Sequence, residues 1–358
     1  MNAPLRDKSS RVVVITGGSS GIGRSTAALF ARHGWHVGLI ARGAEGLAAS
    51  RRDVELAGAC AAIAQADVTD TKALGEAANA IVASLGPIDV WINCAGNGVY
   101  GRFGDVPERE FRRVTDVTYH GTVNGTRVAL AHMRPRGQGR IVNVCSAIAF
   151  HGLPLMSSYA GAKAAVRAFG QAVQGELKLE KSPIGISTVF PPAANTPYFS
   201  HATSHMGWPA SPAWPVYQPE VVAQGILQAV AGRRREMTIS GTVVAFSLAT
   251  RLVPSLVALA MGKMGIERQA TADPDARRLL EPTLFAPSQR VFDVHGPFGQ
   301  GARRRSVHLW FERWPTLLKQ LFTVAPPVRP PAIALPPTRV PPEPGPELAG
   351  LAAPHAET

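Results

Sequence analysis

The chain reads as an α/β protein built on a doubly wound parallel sheet, and three observations carry that reading. Short β-branched apolar runs alternate with longer Ala-rich helical stretches over the first two-thirds of the 358 residues, the pattern of βαβ units around a sheet buried on both faces. A glycine-rich turn follows the first apolar run and opens the first helical stretch. The alternation stops near residue 263, which leaves a single domain with a C-terminal extension.

Strands are expected at 12–16, 36–41, 60–65, 90–93, 140–145 and 185–190, each a run of apolar or β-branched residues bounded by turn formers. Helices fall between them at 22–33, 43–57, 72–85, 107–133, 159–179 and 219–231. The first should end at Gly34, where a left-handed cap is cheapest for glycine.

From 241 to 262 the chain is strongly apolar, interrupted by Arg251 and Pro254. A charge and a helix breaker near the middle argue against a simple membrane span. Two short helices folded over a substrate pocket or a neighbouring subunit are expected; insertion into a bilayer surface is the alternative and is not favoured. Residues 1–262 therefore form the domain and 263–325 a partly ordered extension. Residues 326–358 form a proline-rich tail, expected to be extended or disordered.

Composition sets the remaining bounds. A hydrophobic content of 46% excludes a disordered protein. The net charge of +12 permits binding to nucleic acid or an anionic membrane without demanding it. Its tight basic runs, Arg233, Arg234, Arg235 and Arg303, Arg304, Arg305, have the look of solvated surface, and no nucleic-acid motif accompanies them. No nucleic-acid partner is expected. Cys60, Cys94 and Cys145 are odd in number, far apart and without a C-x-x-C pair, so neither disulfides nor a metal site is indicated. With no signal-peptide pattern at the N-terminus, a cytoplasmic protein is expected.

Two motifs carry chemistry. In Thr16-Gly17-Gly18-Ser19-Ser20-Gly21-Ile22-Gly23 the glycines allow a sharp turn and close backbone approach to a pyrophosphate, and free amides at the helix start receive phosphate oxygens. In Tyr159-Ala160-Gly161-Ala162-Lys163 the tyrosine and lysine share a helix face, with Ser146 thirteen residues upstream at the end of a strand. A free tyrosine is a poor base near neutrality, so an adjacent ammonium is needed to stabilise its phenolate. Alone, the pair is also what a tyrosine covering a core edge beside a snorkelling lysine would give.

Together these residues resemble the short-chain dehydrogenase/reductase family, in its T-G-x-x-x-G-x-G and Y-x-x-x-K subclass, over about residues 8 to 240. The resemblance implies a Rossmann-type fold and an oxidoreductase acting on a carbonyl or alcohol. Ser146 would polarise the substrate oxygen, Tyr159 would exchange the proton, and Lys163 would hold the cofactor ribose and lower the Tyr159 pKa. Asn93-Cys94-Ala95-Gly96 resembles the family's N-N-A-G element, with Cys94 for the second Asn. Asp67-Val68 resembles its adenine-contacting pair. The loop from Phe190 to Pro197 resembles its P-G-x-x-x-T segment, with Pro192 for the glycine and Thr196 placed to hold the nicotinamide amide. Gly17, Ser19, Ser20, Gly21, Ile22 and Gly23 would cradle the phosphates.

The family's proton-relay Asn aligns with Thr118, which is shorter and β-branched; Asn124 lies two residues off the helical repeat and is not promoted in its place. The second strand ends in Arg42 where an acidic residue would select NAD, and Arg24 follows Gly23; both suit the 2′-phosphate of NADP(H). Related enzymes pair subunits through the helices aligning with 107–133 and 159–179, so a homodimer or homotetramer is expected. An apolar pocket wall is expected from Phe150, Leu153, Leu155, Met156, Tyr198, Phe199, Met206 and Trp208, which favours an apolar carbonyl substrate. The rivals are a nucleotide-sugar epimerase or dehydratase, whose glycine spacing differs, and a cofactor-binding regulatory or scaffold protein without turnover.

Overall fold

A computed structural model describes residues 11–312, apart from 233 and 265–268. The proline-rich tail, part of the 263–325 extension and Arg233 lie outside the described residues. The elements run β1 (Val12–Thr16), α1 (Gly21–Arg32), β2 (His36–Ala41), α2 (Ala44–Leu56), β3 (Ala61–Gln65), α3 (Thr71–Leu85), β4 (Ile88–Asn93) and β5 (Val99–Tyr100). They continue α4 (Glu108–Thr115), α5 (Gly121–Met133), β6 (Arg140–Val144), α6 (Ser157–Leu179), β7 (Gly185–Phe190), α7 (Tyr198–His201) and β8 (Thr203–Ser204). The last are α8 (Pro219–Gly232), β9 (Glu236–Thr238), α9 (Gly241–Leu252), α10 (Pro254–Met264), α11 (Pro274–Arg278) and α12 (Val307–Glu312).

Seven strands form one parallel sheet in the order β3-β2-β1-β4-β6-β7-β9. Alternation along β1 explains its two-sided burial: Val13 and Ile15 enter the core shared with α1 and α8, while Val12 and Val14 enter the core shared with α3 and α5. The strand order reverses between β1 and β4. Their carboxyl ends meet at Thr16 and Asn93, and this is where an open α/β sheet leaves a binding crevice.

Three differences from the expected elements have physical reasons. β9 was not expected, because three residues at a sheet edge show no periodicity. The helix expected at 107–133 is divided by a π-helical turn at Asp116–His120. That turn inserts one extra residue per hydrogen-bonded ring without disturbing the apolar pattern, and such turns concentrate at functional sites. The first helix ends one residue early at Arg32, with His33 as its cap and Gly34 in the left-handed region at φ 76° as expected.

The 241–262 stretch forms two helices, as expected, bent by 117° at the break before Pro254. Among the described residues no single helix is long and apolar enough to cross a membrane. Val243 and Val257 are buried, whereas Leu252, Leu256 and Leu259 are exposed.

Candidate active site

The glycine turn is as tight as its sequence demands. A side chain at Gly23 would place Cβ 2.1 Å from the Gly17 carbonyl oxygen, and one at Gly17 would meet the Ala95 backbone at 2.7 Å. Gly17 and Gly21 both adopt positive φ. The Thr16 hydroxyl accepts from the Cys94 and Ala95 amides and so ties this turn to the loop after β4.

The catalytic candidates converge at the other end of the same cleft. Ser146 follows β6, and Tyr159 and Lys163 lie on the first turns of α6. Lys163 is buried; its Nζ donates to the Val144 carbonyl at 2.7 Å and stands 5.5 Å from the Tyr159 ring centroid. Burial holds the Lys163 ammonium below its ordinary pKa, opposed by the nearby thiols of Cys145 and Cys94. Burial also raises the Tyr159 phenol, Cys145 adds to the rise, and a hydrogen bond with Ser146 pulls the other way. The direction is set by desolvation of the phenolate and not by the lowering expected from Lys163. Burial pushes the Cys94 thiol up to about 12, which removes it as a nucleophile near neutrality.

Glycine turn and catalytic candidates line one cavity of about 540 Å³, within the usual range for a ligand site. Its wall includes Gly17, Ser19, Ser20, Gly21, Ile22, Gly23, Arg42, Asp67, Val68, Ala95, Gly96, Ser146, Tyr159, Lys163 and Thr196. Asn93 and Arg24 are not on that wall. Asn93 is buried in a network, accepting from Trp91 Nε1 at 2.7 Å and donating to Asn143 Oδ1 at 2.9 Å and Thr126 Oγ1 at 3.1 Å. Arg24 pairs with Asp53 at 2.6 Å and donates to the Phe292 carbonyl at 2.9 Å.

Arg42 does face the cleft. Burial lowers its pKa; Asp67 opposes this and the Arg113 guanidinium adds to it. Arg113 bonds to Asp67, whose carboxyl is held below its ordinary value by that contact and by Thr69 against the opposing cost of burial. Two guanidiniums around one carboxylate leave this end of the cleft net positive.

Of the expected pocket wall, Leu153, Met156, Tyr198 and Phe199 line the cleft; Phe150, Leu155, Met206 and Trp208 do not. Phe150 packs instead on Phe190, with ring centroids 4.7 Å apart. Trp214, Phe246 and Met261 complete the wall, the last two from the bent helix pair. Thr118 is fully buried on the π-helical turn, and a Cβ at Gly96 would lie 3.9 Å from both Thr118 Oγ1 and Lys163 Nζ. Asn124 donates to the Val68 carbonyl at 3.0 Å and so holds the Asp67–Val68 loop.

Sequence reasoning missed Thr283, Pro287, Ser288 and Phe292, which reach the cleft from a distant part of the chain, and the partners Asp53 of Arg24 and Arg113 of Asp67. An acidic residue paired with a motif arginine leaves no signal in linear spacing.

A parallel sheet with a glycine turn at its switch point, joined by one cleft to a Ser, Tyr and Lys set, defines an oxidoreductase of Rossmann type. The chain belongs to the short chain dehydrogenase family, whose model matches residues 11–207. It is 32% identical over 276 residues to the uncharacterized oxidoreductase YxnA of Bacillus subtilis, covering 76% of this chain and 78% of that protein. It is 33% identical over 196 residues to a 3-dehydrosphinganine reductase of Danio rerio, covering 52% of this chain and 58% of that protein. Among solved structures it is similar to a variant of actinorhodin polyketide ketoreductase with NADPH (TM-score 0.60, 26% identity, 67% of this chain and 99% of that one). It is also similar to a short chain dehydrogenase of Mycobacterium paratuberculosis bound to NAD (TM-score 0.57, 26% identity, 64% and 95%).

Proposed function

We propose that the protein is an NADP(H)-dependent oxidoreductase that interconverts a carbonyl and an alcohol on an apolar small molecule, with Tyr159 as the general acid and base. The observation that carries this reading is the single cleft joining the glycine turn to Ser146, Tyr159 and Lys163. The tight glycine turn and the net positive end around Arg42 fit a dinucleotide with a 2′-phosphate.

Gly17, Ser19, Ser20, Gly21, Ile22 and Gly23 would hold the pyrophosphate, Asp67 and Val68 the adenine, Ala95 and Gly96 the adjoining ribose, and Thr196 the nicotinamide amide. The cofactor, when bound, supplies or accepts hydride. Ser146 donates to the substrate oxygen, and Tyr159 delivers a proton to it in reduction or removes one in oxidation. Lys163 is pinned by Val144 beside the phenol and supplies fixed positive charge. A buried phenol keeps its proton at neutral pH, which suits the reductive direction.

Leu153, Met156, Phe199, Trp214, Phe246 and Met261 make the substrate end apolar, and a relative named for reducing 3-dehydrosphinganine is consistent with such a substrate. The second reading, cofactor binding without turnover, draws on Thr118 in place of the relay Asn. NADPH consumption measured over ketones, aldehydes and quinones separates the two: turnover with any of them supports the enzyme, and binding without turnover across the panel supports the alternative. The family's pairing through α5 and α6 makes a homodimer or homotetramer part of the proposal, checked by light scattering at micromolar concentration.

A further inference from the structure

The C-terminal extension crosses the nucleotide end of the cleft. Thr283, Pro287, Ser288 and Phe292 line the same cavity as the glycine turn and Arg42. The crossing segment has no regular secondary structure, so its backbone groups need partners from elsewhere. They find them on the cofactor loops. Arg42 donates to the Thr283 carbonyl at 2.5 Å and to that of Leu284 at 3.3 Å, and Arg113 donates to the latter at 3.1 Å. Arg24 donates to the Phe292 carbonyl, and the Gly21 amide to the Asp293 carbonyl at 2.9 Å. His201 Nε2 lies 2.5 Å from the Val291 carbonyl, which fixes the proton on that ring nitrogen.

The packing is as close as the bonding. A Cβ on Gly46 would lie 3.2 Å from Phe292, and one on Gly43 3.2 Å from Pro287. One on Gly296 would lie 2.4 Å from the Thr196 carbonyl oxygen. Glycines on both partners let the segment down onto the loops. Its own shape is set by Glu281, whose carboxylate accepts from the Gln289 amide at 2.7 Å, the Val291 amide at 3.0 Å and the Ser288 hydroxyl at 2.5 Å.

We propose that residues 281–298 form a strap that must lift for the nicotinamide nucleotide to enter or leave, so that strap opening sets the rate of cofactor exchange. This rests on reading the cleft as the nucleotide site. The strap and the nucleotide address the same guanidinium, that of Arg42. Arg42 has five N–H donors, of which strap carbonyls use those on Nη1 and Nη2, so one side chain can hold strap and 2′-phosphate together. Occupancy of the cleft and closure of the strap are then coupled, each favouring the other by the same factor.

The test uses the full chain and Glu281→Ala, which loosens the strap's turn at a residue that is not itself on the cleft wall. NADPH affinity is first titrated, release is followed by stopped-flow fluorescence, and tryptic cleavage after the exposed Arg290 reports opening. NADPH should slow that cleavage in the wild type. Glu281→Ala, which removes all the bonds its carboxylate accepts, should speed both cleavage and NADPH release by at least about ten-fold, the effect of a single charge-assisted bond, while single-turnover hydride transfer stays unchanged. Glu281→Gln, which keeps the size and one acceptor, should fall between and guards against misfolding of the alanine variant. Faster cleavage with an unchanged release rate would overturn the strap. Absence of any nicotinamide nucleotide binding to the wild type would instead overturn the cofactor reading beneath it, and with NADH as the ligand the same release measurement applies.

Discussion

The Lys163 ammonium is fixed 5.5 Å from the centre of the Tyr159 ring by a 2.7 Å hydrogen bond to the Val144 carbonyl at the end of β6. The strand end thus places the charge, and the helix places the phenol. Tyr159→Phe keeps the ring and removes the hydroxyl that carries the proton. Turnover should fall by about 10²- to 10⁴-fold, the usual share of a general acid, with NADPH affinity unchanged within a few-fold. Steady-state kinetics with fluorescence titration checks this, and near-normal reduction by the variant would refute the assignment.

The direction of the Tyr159 shift gives a pH dependence. A phenol raised above its ordinary pKa of about 10 stays protonated through neutrality and into mild alkali. Reduction, which needs that proton, should hold steady from about pH 6 to 9. Oxidation, which needs the phenolate, should climb with pH across the same range. Profiles of kcat/KM in both directions check the sign, and a reductive rate titrating away near pH 7 would contradict it.

Arg42 and Arg24 should separate on substitution, although both suit a 2′-phosphate by sequence alone. Arg42 faces the cleft, so Arg42→Asp should weaken NADPH by about 1.5–3 kcal/mol more than NADH, the range for a bond to a charged group. Arg24 is paired with Asp53 and the Phe292 carbonyl. Arg24→Ala should leave the NADPH to NADH ratio in place. Calorimetric titration of both nucleotides decides it.

Gly23 and Gly75 make a matched pair. Gly23→Ala drives Cβ against the Gly17 carbonyl oxygen and should destabilise the fold by about 1–3 kcal/mol, as overpacking does, with loss of nucleotide binding. Gly75 sits within α3 with nothing within 4 Å of a Cβ, so Gly75→Ala should stabilise by about 0.4–1 kcal/mol. Thermal melts with and without NADPH check both.

Asn93 contributes to stability from the core. Asn93→Ala orphans the buried Trp91 Nε1–H and the Asn143 side chain, at a cost of about 1–3 kcal/mol for each unsatisfied group. Urea denaturation should show that loss. If the melt were unchanged and only NADPH affinity fell, Asn93 would belong to the nucleotide site after all.

The parts legible in the sequence are those whose physics is local. Val12 to Thr16 followed by the glycine turn is contiguous, and the Tyr159 and Lys163 spacing is one helical turn, so strand, turn and catalytic helix could be placed from spacing. The partners of Arg24 and Arg42 could not. Asp53 is one acid among several on α2, and the carbonyls of Thr283, Leu284 and Phe292 are backbone atoms that every residue carries. The extra residue at Asp116–His120 also leaves the apolar pattern intact, so Thr118 could be aligned by sequence while its fully buried position on a π-helical turn could not. Phe150 is apolar and near Ser146, which places it in the pocket by sequence; in the fold its ring packs on Phe190 instead.

The reach of the strap along the chain bears on how the protein is made. Arg24 and Phe292 are 268 residues apart, and Arg42 and Thr283 are 241 apart. During synthesis from the N-terminus at about 5–20 residues per second, the glycine turn emerges well before the carbonyls that meet it, and for that interval the nucleotide floor has no roof. On the proposed reading, a nucleotide binding the nascent domain in that window would meet no strap and would be covered afterwards by residues 281–298 of the same chain. Such long-range contacts also form late in folding, after loop closure over most of the chain. If the strap governs exchange, a cofactor molecule bound before residues 281–298 emerge would enter an open groove, and every later one would pass a barrier that the finished chain sets.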